Sequence, residues 1–126
     1  VKITAWDVFN NPNSLEKEFY VVGENQLVIR DVYNFPNPTS SATVFTFQHN
    51  YDQPIDVTIK IYTISGRMIH QIKRTNVLEK FVKIPWDGKD SDGDLLGNGL
   101  YLYKIIINSL GNEKRSEALG KLAIIR

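Results

Sequence analysis

Four aspartates (Asp87, Asp90, Asp92 and Asp94) and four glycines (Gly88, Gly93, Gly97 and Gly99) crowd into the stretch WDGKDSDGDLLGNG that starts at Trp86. Carboxylates at alternate positions are the residue type and spacing that can converge on a hard cation such as calcium. Aligned on Asp90, the EF-hand pattern finds Asp90, Asp92 and Asp94 at its first three ligand positions. It then finds Leu95 where the bend needs glycine, and Tyr101 where a bidentate glutamate should close the shell. No helical periodicity flanks the loop. The same residue types also build turns, because Asp side chains bond nearby backbone N–H groups and Gly takes positive φ. The turn is the favoured reading, and no metal or cofactor is expected.

Other chemistries meet similar obstacles. A general acid and base pair needs one carboxyl desolvated and another kept ionised, which a glycine-rich loop does not offer. His49 and His70 stand apart from any metal-binding helix pattern, and the chain has no cysteine to complete a zinc shell. Both histidines are expected at the surface or at hairpin ends. Ser65 precedes Gly66 in ISGR, which suits a hairpin better than the Gly-x-Ser-x-Gly elbow of a serine nucleophile. Tyr62, Trp86, Tyr101 and Tyr103 could make a stacking platform for glycans, or they could fill the core and cap its ends. Trp86, between Pro85 and Asp87-Gly88, reads as a plug at a corner. No catalytic residue is expected in this chain.

The elements that must carry these residues are strands. In IDVTIKIYTI, Val57, Ile59 and Ile61 alternate with Asp56, Thr58, Lys60 and Tyr62, the period of a half-buried strand. Phe45 and Phe47 share a face in TVFTFQH. In LYLYKIII, Tyr101, Tyr103, Ile105 and Ile107 oppose Leu100, Leu102, Lys104 and Ile106, so a central strand is expected there. NFPNPTSS interrupts the ladder before Phe45, ISGRMI makes a tight hairpin at Ser65-Gly66, and SLGNEKRS makes another before the last strand. The expectation is an all-β, antiparallel sandwich of about seven strands, with an extra N-terminal hairpin.

Size and charge narrow the class further. The 126 residues suffice for one ordinary domain with a real core, and 15 basic against 14 acidic residues leave a formal charge of +1. That balance gives no reason to expect nucleic acid as a partner. No apolar run approaches the roughly 20 residues that cross a bilayer. Lack of cysteine excludes thiol chemistry and disulfides but says nothing of compartment. The chain starts in what reads as mid-strand, so a fragment of a longer protein is expected. Residues 1–22 read either as the trailing hairpin of a preceding domain or as edge strands of the same sandwich. GENQ (residues 23–26) then acts as a spacer, and residues 27–126 make the main domain.

The order of the pieces is distinctive. VYNFPNPTSSATVFTF, then VTIKIYTISGRMIHQI, then KIPWDGKDSDGDLLGNGLYLYKI, then KLAIIR resembles the immunoglobulin-like domain of flagellar hook-capping proteins. It resembles more closely the C-terminal domains of proteins exported by the type IX secretion system of Bacteroidota. ITAWDVFNN and EFYVV, within residues 1–22, resemble the segment leading into the C-terminal domain of PorU-type sortases, which are gingipain-like cysteine peptidases. The resemblance implies a parent chain with a Cys–His peptidase domain upstream. It also implies that this domain is a non-catalytic address and docking module, recognised by outer-membrane secretion components at the cell surface of a Gram-negative bacterium. An accessory glycan- or protein-binding sandwich of a secreted enzyme is the alternative, and a filament scaffold like the hook cap is a third.

The address implied by the family lies in the last strand, at Gly120, Lys121, Leu122, Ala123, Ile124, Ile125 and Arg126. A terminal strand paired on one side offers backbone groups to a partner, so β-augmentation is an available mode. Leu122 and Ile124 are expected to point inward, and Lys121 and Arg126 to stay solvated.

Overall fold

The computed structural model describes residues 27–112 and 114–126. The expected hairpin at residues 1–22 and the spacer at residues 23–26 lie outside the described residues. Seven strands follow in order: β1 (Ile29–Phe35), β2 (Thr43–His49), β3 (Ile55–Thr63), β4 (Met68–Val77), β5 (Phe81–Trp86), β6 (Gly99–Ser109) and β7 (Arg115–Ile124). They form two antiparallel sheets with strand orders β1-β2-β5 and β4-β3-β6-β7. This is the expected immunoglobulin-like sandwich.

Alternation in the sequence becomes alternation of burial. Ile55, Val57, Ile59 and Ile61 of β3 are buried while the residues between them are not. In β5, Val82, Ile84 and Trp86 point inward, and Pro85, which cannot donate to a ladder, sits in an edge strand where that costs little. The apolar run of β6 lies between β3 and β7, and Ile106 is buried on one face while Ile105 and Ile107 are buried on the other. Each buried Ile, Leu or Phe stabilises the fold by about 1.5–3 kcal/mol relative to exposure, before conformational entropy is counted.

Aromatic rings join the two sheets. Phe45 of β2 stacks on Trp86 at 5.8 Å between centroids and meets Tyr103 of β6 at 4.7 Å. Tyr103 and Trp86 are therefore core residues, which removes them from any surface platform for glycans.

The turns behave as their residues dictate. At the β3–β4 hairpin the Thr63 N–H bonds the Arg67 carbonyl and the Gly66 N–H bonds the Thr63 carbonyl, with Gly66 at φ +99°. The β6–β7 hairpin passes through a 3-10 turn at Leu110–Asn112 with Gly111 at φ +85°. The Lys114 N–H then donates to Ser109 Oγ.

Candidate functional site

The acidic loop is a turn held by its own carboxylates. Asp90 Oδ1 accepts the N–H groups of Asp92 (2.9 Å) and Asp94 (3.0 Å), and Asp87 Oδ1 accepts that of Lys89 (3.0 Å). Backbone bonds Asp90 N–H to Asp94 carbonyl and Gly93 N–H to Asp90 carbonyl close the same loop. The Ser91 N–H and hydroxyl both donate to the Ile69 carbonyl, tying the loop to β4. Among the described residues no three acidic or histidine side chains are grouped to hold a metal ion. Gly88, at φ +82°, has no room for a side chain because an added Cβ would meet the Ser41 backbone carbonyl. The loop is thus anchored on three sides, to β4, to the β1–β2 connection and, through Trp86 Nε1 to the Lys89 carbonyl, to the core.

The histidines differ from expectation. His49 ends β2, but its side chain is buried: Nε2 lies 2.8 Å from the Glu79 carbonyl and Nδ1 accepts the Tyr51 N–H. The ring pins the β2–β3 and β4–β5 connections together, which a strand-end position alone does not reveal. His70 lies inside β4 and stacks on Trp86 at 6.0 Å, half-buried rather than at a hairpin end. An open groove of about 710 Å³ runs beside it between β4 and β5, lined by Ile72, Arg74, Pro85, Trp86 and Asp90 among others.

The terminal strand is where the expected address falls. Leu122 and Ile124 are buried at 1 % and 0 % exposure, and Lys121, Ile125 and Arg126 are exposed. β7 is the edge of its sheet, as expected. Its C-terminal half is nevertheless not open. Asn37 Oδ1 accepts the Ala123 N–H (3.0 Å) and Asn37 Nδ2 donates to the Lys121 carbonyl (3.2 Å). The Thr39 N–H donates to the Ala123 carbonyl, and the Ile125 N–H to the Thr39 carbonyl, both at 2.9 Å. The β1–β2 connection thus leaves its own sheet and clasps the last strand of the other. The premise that residues 120–126 pair on one side only is corrected: the Lys121 carbonyl, both backbone groups of Ala123 and the Ile125 N–H are already engaged, which leaves a β-augmenting partner the Lys121 N–H among them.

Gly120 has a separate, structural role. It lies opposite Tyr103 across the β6–β7 ladder, and the Tyr103 ring occupies the space where its side chain would be. Burial pushes the Tyr103 hydroxyl pKa up to about 12. At the other end of β7, hydrogen bonding from Arg115 holds the Glu117 carboxyl below the usual range, with Lys104 adding a weaker attraction at 3.7 Å.

What the described residues define is a folded sandwich whose polar clusters are spent on turns and on clasping the terminal strand. The chain matches the FlgD Ig-like domain family over residues 34–112, and it belongs to that family. Its structure is similar to part of dimeric latent PorU from Porphyromonas gingivalis, at 27% identity and a TM-score of 0.69. That likeness covers 83% of this chain but only 10% of the PorU chain. FlgD from Xanthomonas campestris, a protein of flagellar hook capping, shares the fold at 20% identity and a TM-score of 0.52, covering 81% of this chain and 67% of that one. No curated protein matches the chain.

Proposed function

We propose that this chain is a non-catalytic sorting and docking domain of a type IX secretion protein whose parent is a gingipain-like cysteine peptidase. Residues 27–126 form the domain, and residues 1–22 belong to the end of the unit before it. The parent is exported to the cell surface of a Gram-negative bacterium of the Bacteroidota, and the domain is gripped there by outer-membrane secretion components. The observation that carries this reading is the likeness to PorU across most of the chain. Recognition falls on the terminal strand at Gly120, Lys121, Leu122, Ala123, Ile124, Ile125 and Arg126. With Asn37 and Thr39 holding the edge, a partner reads the exposed side chains of Lys121, Ile125 and Arg126 on a rigid frame, or displaces the clasp first.

The test is delivery. A secreted fluorescent reporter followed by residues 1–126, expressed in a type IX-competent bacterium, is expected to reach the outer surface, where added protease removes it. The same reporter alone stays in the periplasm. Periplasmic retention of the fusion, with the domain folded, would reject the sorting role.

A further inference from the structure

The clasp covers only part of the outer edge of β7, and alternation fixes what the rest presents. Ala123 turns both its N–H and its C=O outward, to Asn37 and Thr39. The β6–β7 register runs without a shift from Arg115 to Ile124, so Lys121, Leu119, Glu117 and Arg115 turn theirs to the same side. Lys121 gives its carbonyl to Asn37, and the remaining groups of this edge have no partner among the described residues. Their side chains are exposed on the outer face, Leu119 at 70 %. The residues between them, Ser116, Ala118 and Gly120, are small, so nothing on the strand itself keeps another strand away. Unpaired edges of this kind are templates for pairing.

We propose that this edge pairs antiparallel with the same edge of a second copy of the chain, about a twofold axis at Leu119. The register follows from the sequence. Outward residues must face outward residues for the ladder to form. Registers that overlap at least three outward positions of each copy place the axis at Glu117, Ala118 or Leu119. An axis at Glu117 sets that carboxylate against itself. An axis at Ala118 sets Arg115 against Lys121. Only the axis at Leu119 brings Glu117 opposite Lys121 on both sides, with leucine against leucine between them. Directly opposite charges favour a pair and like charges disfavour it. Beyond Lys121 the next position is Ala123, already held by Asn37 and Thr39, so the clasp ends the ladder and limits its length. Leu119 exchanges backbone bonds with Leu119, and each Lys121 N–H reaches a Glu117 carbonyl, joining the two four-stranded sheets into one.

An interface this small is weak, so sedimentation velocity of the 126-residue chain is run from about 1 µM to about 1 mM. A monomer–dimer equilibrium is expected. Glu117→Lys and Lys121→Glu should each weaken it by about 10-fold or more, and the two together should restore it to within about 3-fold of the wild type. Amide exchange at Leu119 and Lys121 should slow as concentration rises. A chain that stays monomeric at the highest concentration, a dimer indifferent to the single reversals, or a double variant that fails to recover would each overturn the proposal.

Discussion

Gly120→Ala isolates one contact that the terminal strand depends on. The new Cβ would lie 2.7 Å from Tyr103 Cε2 and also crowd its Cζ and hydroxyl. Tyr103 is 1 % exposed and packed against Phe45, so its ring has nowhere to retreat. Gly120 does not occupy the left-handed region, so backbone strain adds nothing, and removing glycine from the unfolded chain favours folding by about 0.4–1 kcal/mol. Overpacking costs about 1–3 kcal/mol. The net is a loss of about 1–2 kcal/mol, or roughly 4–16 °C in melting temperature for a domain of this size. Urea and thermal unfolding followed by near-UV circular dichroism would measure it. The decisive control is the same substitution in a Tyr103→Leu background, where the crowding atoms are gone and the penalty should disappear. A penalty of equal size in both backgrounds, or no penalty in the first, would refute the packing argument.

Gly88→Ala combines a φ of +82° with a collision against the Ser41 backbone, and should cost about 2 kcal/mol or more; Gly97→Ala, with open space around it, should be close to neutral by the same unfolding assay. Raising pH should destabilise the domain through Tyr103. Its folded-state pKa of about 12 lies above the unfolded value near 10, so its contribution is complete below pH 10 and is lost as pH rises through 12. Alkaline titration of tyrosinate absorbance should show this, and Tyr103→Phe should remove it. Asp90→Ala leaves two backbone N–H groups without their acceptor and should cost about 1–2 kcal/mol, while millimolar calcium should leave the wild-type melting temperature unchanged.

The strands were legible because one-sided burial writes itself into the chain with period two, as in Val57, Ile59 and Ile61. The hairpins were legible because Gly66 and Gly111 supply the positive φ their turns require. The acidic loop read as a turn for the same reason that it is one: Asp90 bonds its own neighbours. Contacts across more than 80 residues left no such trace. Asn37 and Thr39 sit in a segment whose prolines announce an interruption, and nothing local says that it crosses to the opposite sheet. His49 read as a surface or hairpin-end residue, and its burial went unseen because one of its bonds goes to Glu79, in a connection distant in sequence. Gly120 entered the sequence reading only as part of the terminal address, since its structural reason is the ring of Tyr103. The β6–β7 pairing itself, once known, would have made that reason visible.

A simple truncation cannot test the address, because removing residues 121–126 also removes Leu122 and Ile124 from the core. The direct measurement is surface delivery of the reporter fusion carrying Lys121→Glu and Arg126→Glu, both on exposed side chains. If the terminal strand is read as an address, delivery falls steeply while the melting temperature of the purified domain stays within about 2 °C of the wild type, as surface substitutions allow. Undiminished delivery by this stable variant would contradict recognition at the charged side chains of the terminal strand.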